Sequence, residues 1–80
     1  MQGNAMNETV NPDTITIIAN GQPRTIQASS TIADFLQQLN IAPTRVVAQL
    51  NGVIVARSEF DKAVLQQSSK LEIVTMVGGG

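Results

Sequence analysis

Polar and apolar residues alternate along TITIIA, Thr14 to Ala19, which puts Ile15 and Ile17 on one face of an extended segment. Asn20-Gly21 follows, the strongest short signal for a β-hairpin. RTIQA, residues 24–28, then reads as the returning strand, with Ile26 and Ala28 turned inward. The period changes at residue 31. Ile32, Phe35, Leu36 and Leu39 fall at i, i+3, i+4 and i+7, one stripe of a single amphipathic helix. Thr31 and Asp34 supply its start signal, with Ser30 as the competing cap. Asn40 to Pro43 is expected to end it, because a residue before proline is steered out of the helical region. Alternation returns in RVVAQL, residues 45–50, with Val46, Ala48 and Leu50 inward and Val47 and Gln49 outward. A second Asn-Gly, at 51–52, turns the chain into a short strand, 53–55. Residues 57–67 read as irregular with one helical turn, anchored by Phe60 and Leu65. KLEIVTMV, 70–77, is the last strand, with Leu71 and Ile73 inward and Glu72 and Val74 outward.

The order is therefore β-β-α-β-β-β. One apolar stripe on the helix needs one apolar sheet face to cover, which predicts a two-layer α+β domain. A hairpin gripping a helix, with a final strand running out of the sheet, is a β-grasp (ubiquitin-like) layout. Strand order is not legible from the pattern. Residues 1–13 carry little apolar material and end in the Asn11-Pro12-Asp13 turn signal, so they are expected to form a mobile arm before a domain at 14–80. Met6 is a second possible start, and residues 1–5 an alternative cloning remnant.

Composition narrows the function mostly by exclusion. Five basic residues scattered among six acidic ones leave a net charge of −1, no footprint for nucleic acid or an anionic membrane. Cysteine and histidine are absent, which removes disulfides, a thiol nucleophile, a zinc site and a histidine acid–base pair. Neither G-x-x-x-x-G-K-[ST] nor G-x-G-x-x-G occurs, and Phe35 and Phe60 are the only aromatics. No bound cofactor or metal is expected. With no signal peptide or apolar span in view, the expected location is cytoplasmic.

What remains is the end of the chain, M-V-G-G-G. Glycines lose much backbone freedom on ordering and bury nothing, so they contribute little to a fold. One reading is a frayed end. The other is that the Gly80 carboxylate is the working group. An α-carboxylate is ionised at neutral pH and inert to nucleophiles, so another protein must first activate it as an acyl phosphate or adenylate. Three glycines reach about 10–11 Å when extended, with no Cβ to obstruct a narrow channel. The tail follows directly on the last strand of a domain with no other candidate site, which favours the second reading.

The chain resembles the ThiS family, the sulfur carriers of thiamine biosynthesis, from about Thr14 to Gly80. The resemblance lies in the early NG hairpin, in TIADFLQQL, in VAQLNGVIVARSEF and in the ending LEIVTMVGGG. R-S-E-F together with V-G-G-G is the more specific part, because a Gly-Gly end alone is shared with ubiquitin-like proteins and the molybdopterin carrier. The arm departs from the family pattern. So does Ser68-Ser69-Lys70, where a Gly-Asp turn is more usual.

The resemblance implies a protein co-substrate and not an enzyme. An E1-like adenylyltransferase (ThiF-like) would consume ATP to adenylate Gly80, and a sulfur donor such as a cysteine desulfurase would lead to a 1-thioglycine thiocarboxylate. Thiazole synthase (ThiG-like) would then take the sulfur. Val77, Gly78 and Gly79 would thread the partner's channel. Val47, Val74 and Met76 point outward by alternation, and either form a docking patch for both enzymes or are scattered surface residues. Arg57 reads as a solvated loop residue or a partner's salt-bridge arm. The alternatives are a carrier for molybdopterin or transfer-RNA thiolation, and a β-grasp interaction module with no carrier role.

Overall fold

In the computed structural model, which describes residues 13–76, six regular elements follow the expected order. They are β1 (Thr14–Ala19), β2 (Gln22–Gln27), α1 (Ile32–Gln38), β3 (Val46–Leu50), β4 (Val53–Val55) and β5 (Lys70–Thr75). The strands form one sheet in the order β2-β1-β5-β3-β4, and α1 packs on one face of it. The two hairpins are antiparallel, and β5 enters between them, parallel to β1 and antiparallel to β3. This is the two-layer β-grasp arrangement. The strand whose end leads to the C-terminus is thus the central one.

Both Asn-Gly pairs make two-residue turns. Asn20 and Gly21 have φ of 50° and 82°, and Asn51 and Gly52 have 51° and 87°, the left-handed pair that matches strand twist. The first turn is tight enough for Ala19 to face Gln22, so the returning strand begins two residues before Arg24. Pro23 lies inside that strand, opposite Ile18, and is tolerated because β2 is an edge. Ile26 is buried as expected, while Ala28 stands half-buried just past the strand.

The core is the helix stripe against alternate sheet residues: Ile32, Phe35 and Leu36 meet Ile17, Ala19, Ile26, Val46, Ala48 and Leu71. Phe60 and Leu65 close it from the 57–69 segment. Residues 57–67, expected to be irregular with one helical turn, carry the 3-10 turn Arg57–Glu59 and are bound tightly to the start of α1. Ile32 N–H donates to Ala63 O, Ala33 N–H to Phe60 O, and Leu65 N–H to Ser30 O. Thr31 is the cap in preference to Ser30: its Oγ1 accepts the Asp34 N–H at 3.1 Å, and Asp34 Oδ2 accepts the Thr31 N–H at 2.9 Å. The first-turn donors are therefore all taken.

The helix stops for a different reason than the proline. Asn40 adopts φ 58°, its N–H bonds Gln37 O, and Ile41 N–H bonds Leu36 O at 3.0 Å. That is a Schellman closure, with asparagine in the left-handed position usually given to glycine. Pro43 instead opens a 3-10 turn, Pro43–Arg45, which delays β3 by one residue. Asp13 is tied to the first hairpin through its carbonyl, which accepts from Ala28 N–H. The rest of the expected arm lies outside the described residues.

Candidate functional site

β5 is the element that delivers the chain end, and it is held on both sides. Toward β3 the ladder runs from Leu50↔Leu71 to Val46↔Thr75 and continues past the strand, where Met76 N–H donates to Arg45 O at 2.7 Å. Toward β1 the pairing is short, Ile18↔Lys70 and Ala19↔Leu71. Beyond that the Asn20 side chain takes over: its Nδ2 donates to Ile73 O at 3.1 Å, and its Oδ1 accepts Ile73 N–H at 2.7 Å. An amide thus stands in for one more residue of β1. At the other end of β5, Asn51 Oδ1 accepts Lys70 N–H at 2.9 Å while Asn51 N–H donates to Lys70 O. Sequence reasoning saw these asparagines only as turn formers. The left-handed φ that makes the turn also sends each side chain across to β5, and that contact had no local signal.

The sheet face opposite α1 carries the expected outward residues. Val47 and Val74 are direct cross-strand partners and Met76 follows two residues on. They are 42%, 62% and 43% exposed, so the structure brings together the three residues singled out from alternation. Ile54, 65% exposed and opposite Gln49, extends the same face and was missed. Its signal was present: in Val53-Ile54-Val55 the middle residue must face away from its neighbours. Arg57 is exposed at the start of the 3-10 turn Arg57–Glu59.

The remaining candidate residues, Val77, Gly78, Gly79 and Gly80, lie outside the described residues. Among the described residues no group of acidic side chains is placed to hold a metal ion, and no helix is long and apolar enough to cross a membrane.

The family model for ThiS matches residues 17–80. The chain belongs to the ThiS family. The match runs through the terminal glycines and begins inside β1, at Ile17. A solved structure of a ThiS thiamine biosynthesis protein from Geobacter metallireducens superposes with a TM-score of 0.70 at 28% identity, covering 82% of this chain and all of that one. An uncharacterized protein, ycf40, of Pyropia yezoensis is 32% identical over 66 residues, 82% of this chain and 93% of that one. A thiazole synthase of Magnetococcus marinus is 34% identical over 61 residues, 76% of this chain. The ThiS-like chain spans only about a fifth of that protein, at 19% of its length.

Proposed function

We propose that this chain is the sulfur carrier for the thiazole ring of thiamine, and that Gly80 is the atom-transferring end. A Gly80 carboxylate oxygen attacks the α-phosphorus of ATP in an E1-like enzyme, forming the acyl adenylate and releasing pyrophosphate. A persulfide sulfur supplied by a donor such as a cysteine desulfurase then attacks the acyl carbon and AMP leaves with the oxygen. A thiol reduces the resulting acyl disulfide to the thiocarboxylate. Thiazole synthase receives that sulfur. In this role the chain is a co-substrate, with ATP bound by its partner, and it works in the cytoplasm.

The observation that carries the proposal is that the family match extends from Ile17 through Gly80, so the glycine end belongs to the pattern. Two others support it. The chain has neither histidine nor cysteine, and a segment similar to it occurs inside one polypeptide named thiazole synthase. The exposed face of Val47, Val74, Met76 and Ile54 is the docking surface for both enzymes. Val77, Gly78 and Gly79 are the residues that enter the activating enzyme's channel ahead of Gly80.

The test is intact mass after incubation with ATP, an E1-like enzyme and a sulfide source. A carrier gains the mass of sulfur less that of oxygen, and an interaction module gains nothing. Rescue of a thiazole auxotroph separates thiamine from molybdopterin or transfer-RNA thiolation. Tail length is the sharper prediction. One alanine added after Gly80 shifts the carboxylate by about 3.3–3.6 Å, beyond the tolerance of in-line attack, and should abolish ATP–pyrophosphate exchange. Exchange at the unextended rate would refute a fixed depth.

A further inference from the structure

Among the described residues, no strand continues the lane of β1 beside the last residues of β5. β1 pairs no further than Ala19↔Leu71, and the Asn20 amide uses up both backbone groups of Ile73 on that side. Backbone groups alternate along a strand. Ile73 faces the β1 side and Met76 bonds Arg45 on the β3 side. The N–H and C=O of Thr75 therefore face the β1 side, where the described residues place no strand. Thr75 is an exposed strand edge, two backbone groups long before the tail, next to a sheet that otherwise ends in β2 and β4.

Under this edge, on the helix side, lies a groove of about 190 Å³. Phe35, Leu39, Ile41 and Ile73 give it an apolar lining, and among the described residues Arg24 is the only charged one along it. Arg24 reaches it because Ile17↔Arg24 pairing puts that side chain on the helix side of β2. A larger depression of about 520 Å³ over Ala33, Gln37, Ile41 and Pro43 has neither a charged residue nor a strand edge, and selects nothing.

Resting on the carrier reading, we propose that the Thr75 edge and this groove receive an extended segment of the enzyme that activates the tail. The segment adds a strand in line with β1, takes the Thr75 N–H and C=O, and sets an apolar side chain over Phe35 and Leu39. It carries a carboxylate toward Arg24. Added strands bind in this way, with main-chain bonds for affinity and alternate side chains in pockets for specificity. The argument for that occupant is continuity: the edge runs directly into the chain end that the enzyme must take up, so a strand placed here also fixes the tail's direction of entry. Charge complementarity supplies the carboxylate.

The test uses the full chain and its E1-like enzyme in ATP–pyrophosphate exchange. Thr75→Pro removes the edge N–H without breaking a bond to β3, and proline is accepted on a strand edge. It should raise the KM for the carrier about five- to tenfold, the worth of a lost hydrogen bond or slightly more. Arg24→Glu, on the exposed edge strand, should raise KM by a similar factor with an unchanged melting temperature, and it decides the matter if Thr75→Pro fails to fold. A KM within twofold of the unaltered chain in Arg24→Glu and in a folded Thr75→Pro overturns the proposal. So does sedimentation showing an unaltered dimer that Thr75→Pro dissociates, which would give the edge to a second copy. No exchange by the unaltered chain would instead overturn the carrier reading itself, and this proposal with it.

Discussion

Replacing Asn20 with glycine removes two hydrogen bonds from β5 and almost nothing else. Glycine accepts the φ of 50° at that position, so the turn survives. The bonds lost are those to Ile73 O at 3.1 Å and from Ile73 N–H at 2.7 Å. Both are exposed, which puts each at about 0.5–1 kcal/mol, the lower half of the usual range. The added freedom of glycine in the unfolded chain costs about 0.5–1 kcal/mol more. The sum is about 1.5–3 kcal/mol. For a domain whose whole stability is about 5 kcal/mol or slightly more, that is a large share. At about 4–8 °C per kcal/mol for a domain of this size, the melting temperature should fall by about 6 °C or more.

Asn51→Gly is the internal control. It carries the same glycine cost but loses a single side-chain bond, to Lys70 N–H, because the backbone bond from Asn51 N–H to Lys70 O remains. Its expected cost is about 1–2 kcal/mol. The difference between the two variants therefore isolates one hydrogen bond. Urea denaturation gives both numbers, and amide hydrogen exchange locates them. Exchange at Ile73 should accelerate in Asn20→Gly and not in Asn51→Gly, with the reverse at Lys70. Equal midpoints, together with an Ile73 amide indifferent to Asn20, would refute the idea that this side chain prolongs the β1 ladder.

Leu36→Ala or Phe35→Ala should cost about 2–5 kcal/mol through lost burial and the cavity left in the centre of the core, enough to unfold much of the population. An unchanged denaturation midpoint would contradict the packing. Thr31→Ala breaks one half of the capping box and should lose about 1 kcal/mol, read by the same titration; no loss would mean the Phe60 and Ala63 carbonyls hold the helix start alone. Ser68→Gly should be neutral or stabilising by up to about 1 kcal/mol, because Ser68 sits at φ 69° and relief of a left-handed side chain outweighs the entropy of glycine. Clear destabilisation there would show that the serine side chain contributes more than its backbone strain costs.

The parts of the fold legible in the sequence were those set by short periods. The hairpin at Asn20-Gly21, the stripe Ile32, Phe35, Leu36 and Leu39, and the alternation through Val46 and Leu71 each follow from neighbours two to four residues apart. What was not legible depended on contacts across the fold. Strand order is one case, since β5 enters between two hairpins that are each locally complete. The tie between the 57–69 segment and the first turn of α1 is another, because backbone carbonyls of Phe60 and Ala63 have no side-chain signature. The Schellman closure at Asn40 was masked by a proline three residues later that offered a sufficient reason for the same stop. At the candidate site, alternation found Val47, Val74 and Met76 but not the Asn20 latch, which joins residues 53 positions apart.

The latch bears on why a carrier is built this way. Any residue of β5 that was unordered in the free protein would have to be ordered at each docking, at about 1–2 kcal/mol per residue. Residues 73–76 are the segment at risk, because β1 ends opposite Leu71 and leaves them a ladder on one side only. Asn20 on Ile73 and Arg45 on Met76 hold them in place beforehand. On the carrier reading, the cost of ordering residues 73–76 is then not charged to the docking step. A weaker latch should therefore appear first as a higher KM in both activation and sulfur delivery, because the same strand must be presented to two enzymes, while the chemistry at Gly80 and hence kcat stay unchanged.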